Sequence, residues 1–316
     1  MNKINGLEEE INFLRKKKNA IILAHNYQVP EVQDIADYTG DSLGLSQQAA
    51  KTDAEIIVFC GVHFMAETAS IISPNKKVLI PDTEAGCSLS DTINLEQLKK
   101  WKKENPGAVV VSYVNTSAEV KSETDYCVTS SNAVQVVNAI PEDKEILFLP
   151  DVYLGSYVNK VTGRKMQLWP GECHVHAGIR PIDVQAMREK RPNAEMIVHP
   201  ECGCTTPFLY NSVKSNNTTN NVKFLSTGGM KKYSVESESD EFIVATETGM
   251  LYALQKENPD KKFYAANENA VCEFMKMITL EKVLHSLREE VFEVKVPEDI
   301  AVKAKKSIDR MLEISA

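Results

Sequence analysis

Residues 20–27 read AIILAHNY, a short apolar run that ends in a histidine, an asparagine and a tyrosine. The run is apolar on both of its alternating faces, which is typical of a strand buried in a parallel sheet. The same pattern recurs at residues 55–63 (EIIVFCGVH) and 77–82 (KVLIPD). Ligands of parallel α/β sheets bind beyond the carboxyl ends of the strands, so we expect the polar residues that end these runs to form the functional site.

Similar runs continue along the chain, separated by helix-like stretches such as 32–50 and 94–105. They lie at 108–111, 125–128, 146–149, 195–198, 222–225 and 242–245. Strands that alternate with helices indicate an α/β protein. The nine runs group in threes, and each group is followed by a loop that carries a cysteine: Cys87, Cys173 or Cys272. This regularity predicts a threefold repeat of a three-layer αβα unit with a short parallel sheet.

The repeat predicts three similar domains, at residues 1–86, 87–172 and 173–278. Both ends of the chain have helical patterns, and we expect the helices of residues 279–316 to pack back onto the first domain. Thr279 is the predicted N-cap of the first of these helices. The polar tract SNNTTNN at residues 215–221 is interpreted as a mobile surface insertion.

Composition narrows the class of protein. The chain has 316 residues, 43% of them hydrophobic and 25% charged, and a net charge of −8 with no basic block. We therefore expect no nucleic-acid partner. No apolar run reaches the roughly 18 residues of a membrane helix, so we expect no membrane partner either. The start, MNKINGLEEE, has acidic residues where a signal peptide would be apolar, and we expect a cytoplasmic protein.

The seven cysteines fall into three groups. An odd count in a cytoplasmic chain makes a disulfide framework a poor explanation. Cys60 and Cys127 lie in apolar runs and are predicted core residues. Cys87, Cys173 and Cys272, one in each third of the chain, suit a set of metal or cluster ligands that leaves one position open. Cys202 and Cys204 compete for that role, and the alternative for them is a pair of loop residues without function.

Histidines and hydroxyls follow several predicted strands. His174 and His176 are two apart, which on a strand would place both on one face as metal ligands. His25 and His199 each come directly after a strand, where a histidine is either structural or a ligand-binding group. Four polar segments suggest a pocket for a small polyanion, although N-capping alone would also explain the first two. They are Thr129-Ser130-Ser131-Asn132, Ser226-Thr227-Gly228-Gly229, Asp41-Ser42 and Ser112-Tyr113-Val114-Asn115.

Ten segments, in order, resemble the quinolinate synthase (NadA) family over about residues 20–290. They are AHNYQ, DIADYTGDSLGLS, FCGVHFMAETA, PDTEAGCSLSD, VSYVNTSAEVK, TSSNA, FLPDVYLG, WPGECHVH, HPEC and MKMITLEKV. The resemblance implies three similar α/β domains around a pseudo-threefold axis. It also implies a [4Fe-4S] cluster with three cysteine ligands and one open iron. The implied reaction condenses iminoaspartate with dihydroxyacetone phosphate to quinolinate, phosphate and water, in NAD biosynthesis. A contact with the enzyme that produces iminoaspartate is a further expectation.

The resemblance also assigns residues. Cys87, Cys173 and Cys272 match the cluster ligands. The catalytic candidates are Glu201, Tyr27 and His199. The substrate-binding candidates are His25, Ser42, Tyr113, Asn115, Ser130, His176, His199, Glu201, Ser226 and Thr227. The segment ECGCTTPFLYNSVKSNNTTNN departs from the family by its length and by Cys204, and the family's GST turn reads LST here.

The chemistry of this reaction suits these residue types. An open iron acts as a Lewis acid that promotes loss of hydroxide, and Glu201, Tyr27 and the histidines are candidates to move protons. No GxGxxG or P-loop segment is present, so nucleotide binding has no support. Two alternatives stay open: a zinc hydrolase that uses His174, His176 and His199, and an iron–sulfur sensor without catalytic activity.

Overall fold

The protein is described by a computed structural model that covers residues 3–205 and 222–315. It is an α/β protein. The strands, in chain order, are β1 (Ala20–His25), β2 (Tyr38–Gly40), β3 (Ile56–Cys60), β4 (Lys77–Leu79), β5 (Val109–Tyr113), β6 (Tyr126–Val128), β7 (Ile146–Leu149), β8 (Gln167–Leu168), β9 (Glu195–Val198), β10 (Val222–Phe224), β11 (Glu241–Ala245) and β12 (Lys262–Ala265). The predicted insertion at 215–221 lies outside the described residues.

The helices, in chain order, are α1 (Lys3–Lys17), α2 (Pro30–Ile35), α3 (Ser42–Lys51), α4 (His63–Ile72), α5 (Leu95–Glu104), α6 (Ala118–Ser122), α7 (Ala133–Ala139), α8 (Val152–Thr162), α9 (His174–Ala177), α10 (Pro181–Lys190), α11 (Thr227–Glu236), α12 (Gly249–Glu257), α13 (Glu273–Lys276), α14 (Leu280–Glu289) and α15 (Glu298–Ile314). None of the helices in the described ranges has the length and the apolar character that a bilayer crossing requires.

The strands form three four-stranded sheets that share one strand order. The orders are β2-β1-β3-β4, β6-β5-β7-β8 and β10-β9-β11-β12. In each sheet the two central strands are parallel, as in the pairs β1/β3, β5/β7 and β9/β11. The predicted α/β class, with three similar αβα units that each contain a short parallel sheet, is thus confirmed. Each sheet takes its strands from one of the three predicted domains, while the domain boundaries and the pseudo-threefold axis stay predictions.

All nine predicted strands exist, and the structure adds one short strand to each sheet. These are β2, β8 and β12, which lie at sheet edges. The predicted helix at 32–50 is wrong, because β2 divides it into α2 and α3. Tyr38 and Thr39 are residues that favour strands, and the ring of Tyr38 lies so close to Gly40 that a Cβ there would be 2.6 Å from it.

Close packing divides the chain into two compact units. Unit 1 comprises Met1–Lys99, Val114–Cys127 and Cys272–Ala316, and unit 2 comprises Lys100–Tyr113 and Val128–Val271. In unit 1, α14 packs against α1, and α15 packs against α4 and α6. Thr279 caps α14 as predicted, because its side chain accepts a hydrogen bond from the backbone N–H of Lys282.

Candidate functional site

Glu201 is the centre of a buried polar cluster in unit 2. It follows strand β9, and only 2% of it is exposed. The hydroxyl of Tyr113, the last residue of β5, donates a hydrogen bond to Oε1 of Glu201. Nδ1 of His176 lies 3.1 Å from Oε2. Two predicted strand ends and one predicted loop therefore bring three of the candidate residues, Tyr113, His176 and Glu201, into contact.

His176 and His199 lie side by side over this carboxylate. Their rings stack with centroids 4.8 Å apart and an interplanar angle of 14°. Nε2 of His176 is 2.9 Å from the hydroxyl of Thr246, which follows β11. Nε2 of His199 is 3.1 Å from the hydroxyl of Ser130, and its Nδ1 is 3.7 Å from Oε1 of Glu201. His176 thus links the carboxylate to a hydroxyl by hydrogen bonds, an arrangement that can pass protons, while Nδ1 of His199 accepts from the backbone N–H of Glu201 at 3.5 Å.

Opposing effects set the pKa of Glu201. Burial alone would raise this pKa, but the charges of His176 and His199 lower it. Hydrogen bonds from His176 and Tyr113 act in the same direction, and the resulting pKa is about 2. Glu201 is therefore an ionised hydrogen-bond acceptor at neutral pH.

Asp151 is a second buried carboxyl in this cluster, and it is not among the site residues predicted from the sequence. It follows β7 and is fully buried. Oδ1 accepts a 2.6 Å hydrogen bond from the backbone N–H of Leu154, which caps α8. The backbone N–H of Cys173 also donates to this carboxyl. Burial, and then the charge of Glu201, raise the pKa of Asp151 well above its ordinary value.

The cluster includes a set of side chains that could hold a metal ion. One ligand atom each from Cys173, His176 and Glu201 lie within 4.8 Å of one another. Cys173 is a half-buried free thiol at the start of α9. Thiolate, imidazole and carboxylate together are the ligand types of zinc-like ions.

His174 does not belong to this set. The prediction that His174 and His176 share one face of a strand is wrong, because both lie on the short helix α9. Residues two apart on a helix point in widely different directions. His176 is buried accordingly, while His174 is exposed.

The two predicted hydroxyl segments of unit 2 also meet. The hydroxyl of Ser131 donates to that of Ser226 at 2.9 Å. Ser226 in turn accepts a 3.1 Å hydrogen bond from the backbone N–H of Gly229 and so caps α11. The N-capping interpretation therefore holds for Ser226, while the substrate-binding roles of Ser130, Ser226 and Thr227 stay predictions.

In unit 1, the candidate residues also lie at or just beyond strand ends. His25 and Tyr27 are both buried, and their rings meet edge to face with centroids 4.5 Å apart. Nζ of Lys276 donates to the carbonyl oxygen of Tyr27. Ser42 begins α3, which Asp41 caps. The Oδ1 atom of Asn115 is buried without a hydrogen-bond partner among the described residues.

The seven cysteines differ in environment. Cys87, Cys173 and Cys272 form no disulfide and are half-buried. Cys60 and Cys127 are free but fully buried, and burial raises the pKa of both thiols. Cys202 and Cys204 are buried and joined by a disulfide, so neither offers a free thiolate. The three predicted ligands are thus the three cysteines outside the disulfide that are not fully buried.

Strand-end acids, histidines and hydroxyls on parallel α/β sheets are typical of α/β enzymes, and comparison with known proteins identifies the family. Residues 9–313 match the family model of NadA, described as quinolinate synthetase A protein. The chain is 52% identical over 309 residues to the quinolinate synthase of Thermus thermophilus, covering 98% of this chain and 97% of that protein.

Two other relatives agree with this match. The quinolinate synthase of Pyrobaculum aerophilum is 52% identical over 309 residues, which cover 98% of this chain and all of that protein. That of a Mycobacterium species (strain KMS) is 53% identical over 306 residues, which cover 96% of this chain and 91% of that protein. The chain belongs to the quinolinate synthase family.

Proposed function

We propose that this enzyme condenses iminoaspartate with dihydroxyacetone phosphate to quinolinate, phosphate and water, as a step of NAD biosynthesis. The observation that carries the proposal is the family match over residues 9–313. The buried cluster around Glu201 supports it, because ring formation and dehydration require several proton transfers at one place. The unpartnered Oδ1 of Asn115 supports it as well, since a buried amide oxygen without a partner suits a ligand's donor.

We further propose that Cys87, Cys173 and Cys272 hold a [4Fe-4S] cluster. Their environments fit such a group, because they are half-buried thiols that form no disulfide, while the other four cysteines are buried or paired. When bound, the cluster supplies a Lewis-acidic iron that assists loss of hydroxide from the substrate.

The protein's own side chains have separate tasks in this proposal. Substrate carboxylates and phosphate are bound by hydroxyls, amides and imidazoles, namely His25, Ser42, Asn115, Ser130, Ser226 and Thr227. Glu201 accepts a proton, and His176 and His199 carry protons to and from it, because both rings lie against the carboxylate. Tyr113 orients Glu201 through its hydroxyl. Tyr27 is a further proton carrier.

Iminoaspartate is an imine and hydrolyses in water. We therefore propose that the chain receives it by contact with the enzyme that produces it. The cytoplasm is the proposed location, because it keeps cluster-forming thiols reduced.

The test is a turnover assay under anaerobic conditions. Protein reconstituted with iron and sulfide is supplied with dihydroxyacetone phosphate and with oxaloacetate plus ammonia, which equilibrate with iminoaspartate. Quinolinate is measured by mass spectrometry, and phosphate release is measured in parallel. We expect both products in equal amounts. An intact cluster without quinolinate would favour a sensor, and anaerobically purified protein that contains zinc and no sulfide would favour a hydrolase.

A further inference from the structure

We propose that Cys173, His176 and Glu201 bind a single divalent ion of the zinc type when the protein lacks its cluster, and that this ion blocks cluster assembly. The binding site rests on the geometry of unit 2 alone. The blocking effect rests on the proposed function, in which Cys173 is also a cluster ligand.

The three donors have the chemistry and the spacing of such a site. One sulfur, one nitrogen and one oxygen lie within 4.8 Å of one another. Zinc binds these atoms at about 2.0–2.3 Å, so two ligands of one ion lie roughly 3–4 Å apart. The required closure is on the order of 1 Å. Cys173 can supply it, because its half-buried side chain turns about a single bond.

Neighbouring groups already orient the two buried ligands. Nε2 of His176 is 2.9 Å from the hydroxyl of Thr246, which leaves Nδ1 on the side of Glu201 as the metal-binding nitrogen. The Oε1 atom of Glu201 accepts from Tyr113, which leaves Oε2 for the ion. Hydrogen bonds of this kind to the far side of a ligand are a regular feature of zinc sites.

The charge of the buried polar side chains around Glu201 also favours binding of a cation. Glu201 and Asp151 are both buried, and the charge of Glu201 acts on Asp151. The Oδ2 atom of Asp151 has no hydrogen-bond partner in the part of the chain that the structure describes. Of these two acids, Glu201 is the ionised one, and a divalent ion beside it would pair with its buried charge.

This site would compete with the cluster because both use the thiolate of Cys173. Cys87 and Cys272 are not part of the proposed zinc-type site. Their substitution therefore separates this site from any binding of the ion by the three cluster cysteines.

The experiment uses the cluster-free chain, with its Cys202–Cys204 disulfide intact, titrated anaerobically with Co²⁺, a coloured substitute for Zn²⁺. We expect one Co²⁺ per chain, a thiolate-to-cobalt charge-transfer band, and displacement of the cobalt by Zn²⁺. Cys173→Ser removes the band, and Glu201→Gln weakens binding. Thr246→Val, which removes only the partner of His176, lowers the affinity about 10- to 100-fold.

The matched controls are Cys87→Ser, Cys272→Ser and His174→Ala, which leave the band and the affinity unchanged. Circular dichroism confirms that each variant is folded. With the unmodified chain, one equivalent of Zn²⁺ added before iron and sulfide prevents the brown absorbance, and a chelator restores it.

Three results would overturn the proposal. They are loss of the band in Cys87→Ser or Cys272→Ser, unchanged affinity in both Glu201→Gln and Thr246→Val, and normal cluster uptake by zinc-loaded protein. None of them affects quinolinate formation by zinc-free reconstituted protein, so failure here is distinct from failure of the proposed function.

Discussion

Glu201 is ionised although it is buried, because interactions with the surrounding side chains replace the hydration that an exposed carboxylate would have. The cost of burial is offset by two imidazoles and one phenol, which lower the pKa of Glu201 to about 2. A group with so low a pKa is a weak base when it acts alone. We infer that the proton moves through Glu201 and His176 as a pair, because Oε2 and Nδ1 are only 3.1 Å apart.

Replacing Glu201 by glutamine keeps the shape of the side chain and removes its charge. We expect turnover to fall by about 10²- to 10⁴-fold, the usual contribution of a positioned acid–base group. The cluster absorbance should remain. The matched control is Glu241→Gln, which changes a partly exposed glutamate in an ion pair with Lys262 and should leave turnover unchanged. Near-normal turnover of the Glu201 variant would indicate that Tyr27 or His199 performs the acid–base catalysis instead.

Asp151→Ala tests the second buried carboxyl. Alanine removes the acceptor for the backbone N–H groups of Leu154 and Cys173. Loss of an N-cap costs about 0.5–2 kcal/mol, and we expect a decrease of this size in the free energy of unfolding, measured with urea. Asp151→Asn keeps one oxygen acceptor and should recover most of the loss. If asparagine is as unfavourable as alanine, these hydrogen bonds are not what stabilises the segment.

The sequence predicted site residues best where a residue directly follows a buried strand. Tyr113 ends β5, and His199 and Glu201 come just after β9, so this part of the site takes its residues from the carboxyl ends of strands in two sheets. Asp151 also follows a predicted strand, and that position was the signal available for it. The assignment of His174 failed because a spacing of two residues indicates a shared face only on a strand, and the residues after Cys173 form a helix.

At the scale of elements, all inner strands were predicted, but only three of the six edge strands, namely β4, β6 and β10, were. The run of β3 is apolar throughout and all five of its residues are buried, and in β9 only the first residue, Glu195, is polar. The edge strands β2 and β8 have three and two residues, and their sequences carry too little periodicity to be recognised. Their pairing depends on the adjacent inner strand, which is a tertiary effect.

Gly203 determines how closely the segment after β9 approaches α9. Its N–H donates to the carbonyl of His176 at 3.0 Å, and a Cβ at this position would lie 2.7 Å from the carbonyl oxygen of Ala177. Gly203→Ala should therefore displace α9 and His176. We expect a loss of stability of about 1–3 kcal/mol together with a fall in kcat.

The control for this prediction is Gly6→Ala, since no atom lies within 4 Å of a Cβ there. Alanine is favoured over glycine in helices such as α1 by roughly 0.5–1 kcal/mol, so this variant should not lose stability. Unchanged kcat and stability in Gly203→Ala would show that the two backbone segments separate without moving His176.

Glu290 joins three elements of unit 1. It directly follows α14. It accepts a 2.8 Å hydrogen bond from Nζ of Lys18, which lies just beyond α1, and a 2.5 Å hydrogen bond from Nζ of Lys77, the first residue of β4. Hydrogen bonds from Lys18 and Lys77 lower the pKa of Glu290 to about 2. A lowered pKa stabilises the folded state above the ordinary glutamate pKa, and this stabilisation disappears as the pH falls towards 2.

We therefore expect Glu290→Gln to reduce the free energy of unfolding at pH 7 by about 0.2–1 kcal/mol for each exposed ion pair. The difference from the unmodified chain should vanish near the lowered pKa of about 2. Urea unfolding at several pH values measures it, with Glu289→Gln as the neighbouring control. A difference that does not change with pH would mean that charge is not the cause.

At the scale of the whole molecule, the strongest prediction came from the recurrence of the strand pattern along the chain. Nine strands in three groups predicted three sheets, and the three sheets share one strand order. The strand order itself was not predictable, because it depends on which side of the first strand each following helix packs. The disulfide between Cys202 and Cys204 was not predicted either, since an odd cysteine count excludes a framework but not a single pair.

The three half-buried cysteines are the proposed ligands of the cluster. Cys87→Ser, Cys173→Ser and Cys272→Ser should each abolish the cluster absorbance and the turnover, because no other free thiol is accessible to replace a lost ligand. Cys60→Ser is the control: it places a hydroxyl in an apolar core at a cost of about 1–3 kcal/mol and should keep the cluster. Iron and sulfide contents, measured anaerobically, decide between these outcomes. Loss of the cluster in Cys204→Ser but not in Cys272→Ser would refute the ligand assignment, since Cys204 would then have to leave its disulfide partner to bind iron.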